Sequence, residues 1–304
     1  MPEERDVKNI VMTGGSSGLG AVTLRRLRDS GESRVLLGVR GVGPEGVEAP
    51  RLDLARLDSV RTFAAEVEER LGAARVDVLV LNAGVSLHSA DTRTVDGFET
   101  TFAVNHLAHY LLLRLLMPRL ATGAVVTLTT SATHDPAART ILPVPRHADA
   151  QLLAHPDQDP GRDTDPRKGG GRAYTTSKLC NILTARALAA SAEAQEHGWR
   201  VIAYDPGPTP GTGLLRETPA AVRAFWALLG TPLRVLVPRF NSREAAGGHL
   251  ADLALGRVTP PAGELHGRVV RDKLTWPAPS ELALSDDAME ALWRDSAKLV
   301  GLSD

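Results

Sequence analysis

Short apolar runs recur along the chain, each closed by a turn signal and followed by a longer stretch of helical periodicity. The runs cover residues 9–13, 34–39, 76–81, 124–128 and 201–204, with a weaker one at 51–54 and a seventh candidate at 268–270. Runs this short, rich in Val, Leu and Ile and with little alternation, predict strands buried on both faces. Between them the helical period predicts helices over 18–29, 59–71, 96–120, 174–196 and 242–255. A last amphipathic helix is predicted over 285–299, opened by Ser285 with Asp286 and Asp287 in its first turn, where acidic side chains suit the helix dipole. Strand alternating with helix predicts an α/β fold in three layers, a doubly wound parallel sheet of about seven strands with helices on both faces. In such a sheet ligands gather at the carboxyl ends of the strands, and the chemistry is to be sought there.

Two stretches break the rhythm. Residues 135–172 hold six prolines (Pro136, Pro143, Pro145, Pro156, Pro160 and Pro166), many Asp and Arg, and the run Gly169, Gly170, Gly171. Residues 206–238 mix Pro and Gly with Phe225, Trp226, Leu228 and Leu229. Long segments without periodicity inside a compact fold are commonly functional, and both follow predicted strand ends, so they are expected to wall a substrate site. With these as insertion and substrate loop, residues 1–304 read as one globular domain.

Composition narrows the partners. Among 304 residues, 35 Lys and Arg are scattered among 36 Asp and Glu for a net charge of -1, which offers no field for nucleic acid. Cys180 is the single cysteine, excluding an internal disulfide or a cysteine-built zinc site and fitting a reducing compartment. The charged start runs into an apolar stretch too short for a signal or transmembrane segment, so a cytoplasmic protein is expected.

The first apolar run leads directly into Thr13, Gly14, Gly15, Ser16, Ser17, Gly18, Leu19 and Gly20, and then into a helix. Glycines let a backbone turn tightly against a pyrophosphate, and the free amides of a helix start point at the anion. At the end of the second run stands Arg40, with no acidic residue before Glu45. A carboxylate there would accept bonds from a ribose 2′-hydroxyl, whereas a guanidinium suits a 2′-phosphate, so NADP(H) is expected over NAD(H).

Tyr174 and Lys178 are four residues apart and share one face of a predicted helix. An ammonium near a phenol lowers its pKa toward the range of a general acid/base. Ser131 ends a buried strand, Asn105 lies in the long central helix, and Asn82, Ala83 and Gly84 close another strand. In this order, together with Asp53 and Leu54 and with Asp205, Pro206 and Gly207, these pieces resemble the short-chain dehydrogenase/reductase family and its Rossmann-type fold. The resemblance implies that Tyr174 exchanges a proton with substrate oxygen and that Lys178 holds the nicotinamide ribose and lowers the phenol. Ser131 would bond the substrate oxygen and Asn105 would help hold a water leading from Lys178 to solvent. Asp53 and Leu54 would contact adenine, while Pro206, Gly207 and Thr209 would lie beside the carboxamide.

The strand end Thr129, Thr130, Ser131, Ala132, Thr133, His134 leaves Thr130 as the alternative hydroxyl, and His134 is read as a loop residue without a role. The stretches 104–110 and 174–183 resemble both retinol dehydrogenases and light-dependent protochlorophyllide reductases, and the insertion, residues 206–216 and residues 296–302 favour the second. Three activities follow. Reversible carbonyl reduction on a sizeable apolar small molecule comes first and reduction of a ring C=C bond second. The third is a non-catalytic NADP-binding regulator, against which the intact Ser131, Tyr174 and Lys178 argue. In the pigment reductases a cysteine matching Cys180 is linked to substrate, yet a helical wheel turns Cys180 about 120° from Tyr174, toward a core role. The helix that pairs many family subunits, 174–196 here, has an Ala-rich outer face that leaves a homo-oligomer open.

Overall fold

The computed structural model describes residues 7–31, 33–210 and 240–303. Its strands are β1 (Lys8–Thr13), β2 (Ser33–Gly38), β3 (Val76–Leu81), β4 (Leu120–Thr129), β5 (Arg200–Asp205), β6 (His266–Val270) and β7 (Lys273–Thr275). They form one sheet in the order β2-β1-β3-β4-β5-β6-β7, parallel throughout except for β7, which pairs antiparallel with β6.

Successive strand side chains point to opposite faces, so each strand serves two cores. Val11, Leu36, Leu79 and Val126 enter one layer, packed against Phe63, Leu111, Leu179, Ile182 and Leu292 from covering helices. Ile10, Met12, Leu37 and Val80 enter the other, against Leu24 and Leu27 of helix Gly18–Asp29 and Leu250 and Leu253 of helix Arg243–Ala254. This is the doubly wound arrangement the alternation predicts. Among the described residues no helix is long and apolar enough to cross a membrane.

Four expectations are corrected. The weak strand at 51–54 is reduced to one parallel bridge, Val39 with Arg51. After Leu52 donates to the Val39 carbonyl, the Asp53 amide turns to Ser59 Oγ (2.9 Å) and its carboxylate accepts from Ala55, bending the chain into helix Leu57–Leu71. The run expected at 268–270 forms β6, and the seventh strand of the sheet is β7, reached through Arg271 and Asp272, both at positive φ as a tight hairpin turn requires.

The helix expected at 174–196 starts earlier, as Pro166–Ala190, and Ala192–Glu196 is a separate piece. Asp165 caps it, accepting from the Arg167 and Lys168 amides, and Pro166 fills the first turn where no amide bond is lost. Gly169, Gly170 and Gly171 therefore lie inside a helix. A Cβ on Gly170 would come within 2.4 Å of the Leu87 carbonyl oxygen, so glycine lets the helix approach that loop.

The central helix expected at 96–120 spans 100–116, with a π-helical stretch at Ala103–Leu107. The segment expected to be structureless before Tyr174 contains helix Ala150–Ala154 and short 3-10 turns. Ion pairs fasten it: Arg172 grips Asp163 through two bonds (2.6 and 3.1 Å), and Arg146 reaches Asp159 (2.7 Å) and Asp163 (3.1 Å).

Candidate active site

The expected site residues converge at the carboxyl ends of β1, β3, β4 and β5. Thr13 ends β1, and its Oγ1 accepts from the amides of Asn82 (3.0 Å) and Ala83 (3.1 Å), joining the glycine loop to the end of β3. Gly14 has φ +71, and a Cβ there would lie 2.6 Å from Ala83 Cα; one on Gly20 would lie 1.9 Å from the Gly14 oxygen. Ser16 and Ser17 are exposed, and no side chain caps the helix that begins with Gly18, Leu19 and Gly20. A narrow glycine cradle with open helix amides fits a pyrophosphate. Asn82 donates to the Gly14 oxygen and accepts from Thr129 Oγ1, holding three strand ends together. Arg40 is exposed just beyond β2, while Leu54 is buried and the Asp53 carboxylate serves the local turn.

Helix Pro166–Ala190 presents Tyr174, Lys178 and Asn181 along one stripe, as residues three and four apart must lie. Lys178 Nζ (3.2 Å) and Asn181 Nδ2 (3.0 Å) both donate to the Thr129 carbonyl. The ammonium lies 5.8 Å from the centre of the Tyr174 ring. Burial pulls Lys178 down to about 8, with the Asp205 carboxylate pulling the other way. Burial pushes the Tyr174 phenol above its ordinary value; a hydrogen bond with Ser131 opposes the rise and Asp205 adds to it. The sequence predicts a phenol lowered by Lys178, but desolvation dominates.

The two candidate hydroxyls face different ways. Thr130 Oγ1 donates to the Lys178 backbone carbonyl at 2.7 Å, whereas Ser131 adjoins the Tyr174 phenol. Asn105 is fully buried, with its carboxamide clasping Val85 (2.8 and 2.9 Å) and Ser177 Oγ (3.0 Å). A Cβ on Gly84 would be 3.3 Å from both Asn105 Oδ1 and Lys178 Nζ, so glycine separates the two without crowding either.

After β5, Asp205 Oδ1 accepts from the Gly207 amide (2.8 Å), and Arg268 Nε lies 3.2 Å from Oδ2 without hydrogen-bond alignment. Thr209 donates to the oxygens of Pro206 and Gly207. Phe225, Trp226, Leu228 and Leu229, expected to line a substrate wall, lie outside the described residues.

Sequence reasoning missed three buried supports. Asn241 ties the loop after β5, donating to the oxygens of Pro206 (2.9 Å) and Val269 (2.7 Å). His134, expected to be idle, is buried: the Ser280 amide donates to its Nε2, so the proton is on Nδ1 and bonds the Ser131 carbonyl at 2.6 Å. His109 bridges Thr13 and Asn105; its spacing four residues after Asn105 was the available signal.

A family model described as short chain dehydrogenase matches residues 8–142. The chloroplastic protochlorophyllide reductase of Pisum sativum is 30% identical over 332 residues, covering 97% of this chain and 78% of that protein. Retinol dehydrogenase 13 of Homo sapiens is 30% identical over 319 residues, covering 97% of this chain and 85% of that protein. A crystal structure of an uncharacterised protein from Mycobacterium Paratuberculosis superimposes with a TM-score of 0.67 at 25% identity, covering 99% of this chain and 97% of its own.

Proposed function

The chain belongs to the short-chain dehydrogenase/reductase family, on the branch of protochlorophyllide reductases and retinol dehydrogenases, and from that premise we propose an NADPH-dependent oxidoreductase acting on a carbonyl or alcohol of a sizeable apolar substrate. The observation that carries this reading is the buried Tyr174 phenol beside Ser131, one turn before Lys178 on the same helix stripe, with the ammonium 5.8 Å from its ring centre.

Gly14, Ser16, Ser17, Gly18, Leu19 and Gly20 would hold the pyrophosphate and Arg40 the 2′-phosphate, a cation being favoured where no carboxylate follows β2. Asp53 and Leu54 would meet the adenine, and Asn82, Ala83, Gly84, Pro206, Gly207 and Thr209 the nicotinamide side. NADPH, when bound, supplies the hydride. Tyr174 Oη gives its proton to the substrate oxygen, and Ser131 donates a hydrogen bond to that oxygen. The Lys178 ammonium, anchored on Thr129, stabilises the phenolate left behind and meets the ribose. Asn105, its carboxamide already committed, serves the proton path by holding the turn beside Lys178.

Loss of NADPH absorbance against a panel of aldehydes and ketones tests the reading. Wild type should turn over at least one of them, and Tyr174→Phe should bind NADPH normally and turn over none. Undiminished turnover by Tyr174→Phe would overturn it, and a wild type that binds NADPH without reducing any compound would leave the C=C reductase and the regulator. A ring C=C reductase is the second reading, favoured by the similarity to the Pisum sativum protein along 97% of the chain.

A further inference from the structure

His109 lies in the central helix with almost no exposure, and both ring nitrogens have partners. Nε2 is 3.0 Å from Thr13 Oγ1, and Nδ1 is 3.1 Å from the Asn105 backbone oxygen. Thr13 Oγ1 accepts from the Asn82 and Ala83 amides, which uses both lone pairs, so its single proton is donated to His109 Nε2. The ring proton is then on Nδ1 and is donated to the Asn105 carbonyl. Burial pulls the ring down to about 4, with Lys178 adding to the fall, so the imidazole is neutral in the physiological range.

The Asn105 carbonyl sits in the π-helical stretch, where amides bond one residue further back than usual, as Ala108 does to Ala103. A side-chain donor on that carbonyl steadies a widened turn. The same residue's carboxamide clasps Val85 and Ser177, and Ser177 Oγ donates to the Tyr174 carbonyl at 2.7 Å. One line of bonds thus runs from the glycine loop to the helix bearing Tyr174 and Lys178.

We propose that His109 is a positioning residue between the cofactor loop and the Asn105 turn, whose bond with Thr13 supports cofactor affinity and whose bond with the Asn105 carbonyl supports the placement of Lys178. The proposal rests on the reading that the glycine loop holds a dinucleotide and that Lys178 belongs to the active centre.

Two substitutions separate the ends of the bridge. His109→Asn keeps a donor at the δ position toward Asn105 and loses the acceptor for Thr13. His109→Gln keeps an ε acceptor for Thr13 and loses the donor to Asn105. Losing one such bond is expected to cost about fivefold to tenfold. NADPH titration should show weaker binding by that factor in His109→Asn with kcat nearly kept, and the reverse split in His109→Gln. A merely structural histidine would lower Tm in both variants and shift Kd and kcat alike, which overturns the proposal.

Nitrogen-15 NMR of labelled histidine in wild type checks the line without any variant and should find His109 neutral with its proton on Nδ1. A proton on Nε2 overturns the proposal even if neither variant folds. A wild type that fails to bind NADPH instead overturns the functional reading, and the tautomer still decides whether the bridge exists.

Discussion

Thr130 gives its hydroxyl proton to the Lys178 backbone carbonyl at 2.7 Å, so two adjacent hydroxyls at the end of β4 serve different masters. Thr130 is 1% exposed and braces the helix, while Ser131 turns to the Tyr174 phenol. Thr130→Val should therefore cost on the order of 1–3 kcal/mol of stability, from a buried acceptor left short of a donor, and keep most of kcat. Ser131→Ala should leave Tm nearly unchanged and lower kcat about a hundredfold, as loss of one donor to a developing oxyanion does. Urea unfolding and steady-state kinetics on both variants check the pair, and an interchange of the two outcomes would assign the catalytic hydroxyl to Thr130.

Arg40 is exposed beyond β2, where a side chain can be exchanged without disturbing the core. A charge-assisted bond to a phosphate is worth roughly 1.5–3 kcal/mol, so Arg40→Ala should lower kcat/KM with NADPH by about tenfold to a hundredfold and scarcely alter that with NADH. Tm should not move. Unchanged cofactor preference in the variant would remove Arg40 from the phosphate site.

Glu99 caps the central helix, accepting from the amides of Thr101 (2.9 Å) and Phe102 (2.6 Å), yet burial pushes its carboxyl up from 4.5 to about 7. Between those values the folded chain holds a proton that the unfolded chain has released, so this group's contribution to stability is full at low pH and is lost as pH rises through about 7. His106 and His109 act oppositely: burial lowers them to about 3 and about 4, and what they contribute is present above 6.5 and lost in acid. The difference between wild type and Glu99→Gln isolates the carboxyl. The variant should be the less stable at pH 4.5, because its NH2 group replaces one of the two oxygens that accept the Thr101 and Phe102 amides, and gain on the order of 3 kcal/mol relative to wild type by pH 8. A pH-independent difference in urea unfolding would mean that Glu99 is ionised throughout.

The sheet was legible because β1 to β5 each carry a short run rich in Val, Leu and Ile that ends in a turn, a local pattern. Tyr174 with Lys178 and the glycine loop were legible for the same reason: their chemistry is set by spacing within one element. What escaped depends on distant contacts. Gly169, Gly170 and Gly171 read as a break until the helix is seen pressed against Leu87, and Asn241 acts on Pro206 and Val269, 35 and 28 residues away. The failed strand at 51–54 turns on a single bond, from the Asp53 amide to Ser59. His134 carried its signal in its closeness to Ser131, but only Ser280, 146 residues on, fixes its tautomer.

Cys180 divides the carbonyl reading from the C=C reading. It follows Lys178 by two residues, and the helix turns it away from Tyr174 into the core layer of Leu179, Ile182 and Leu183, fully buried. Burial pushes the thiol well above its ordinary value, so it holds its proton in the core, off the catalytic stripe. Cys180→Ala should leave a small cavity costing about 1–2 kcal/mol, lower Tm by a few degrees and keep most of kcat. If the variant instead folds with unchanged Tm, binds NADPH and loses turnover as completely as Tyr174→Phe, the thiol is part of the chemistry. Double-bond reduction would then take first place, and a flash-initiated assay on protochlorophyllide should yield product in light and none in darkness. If wild type yields no light-dependent product and Cys180→Ala keeps turnover on a carbonyl substrate, the C=C reading is excluded and Cys180 is left as a packing residue.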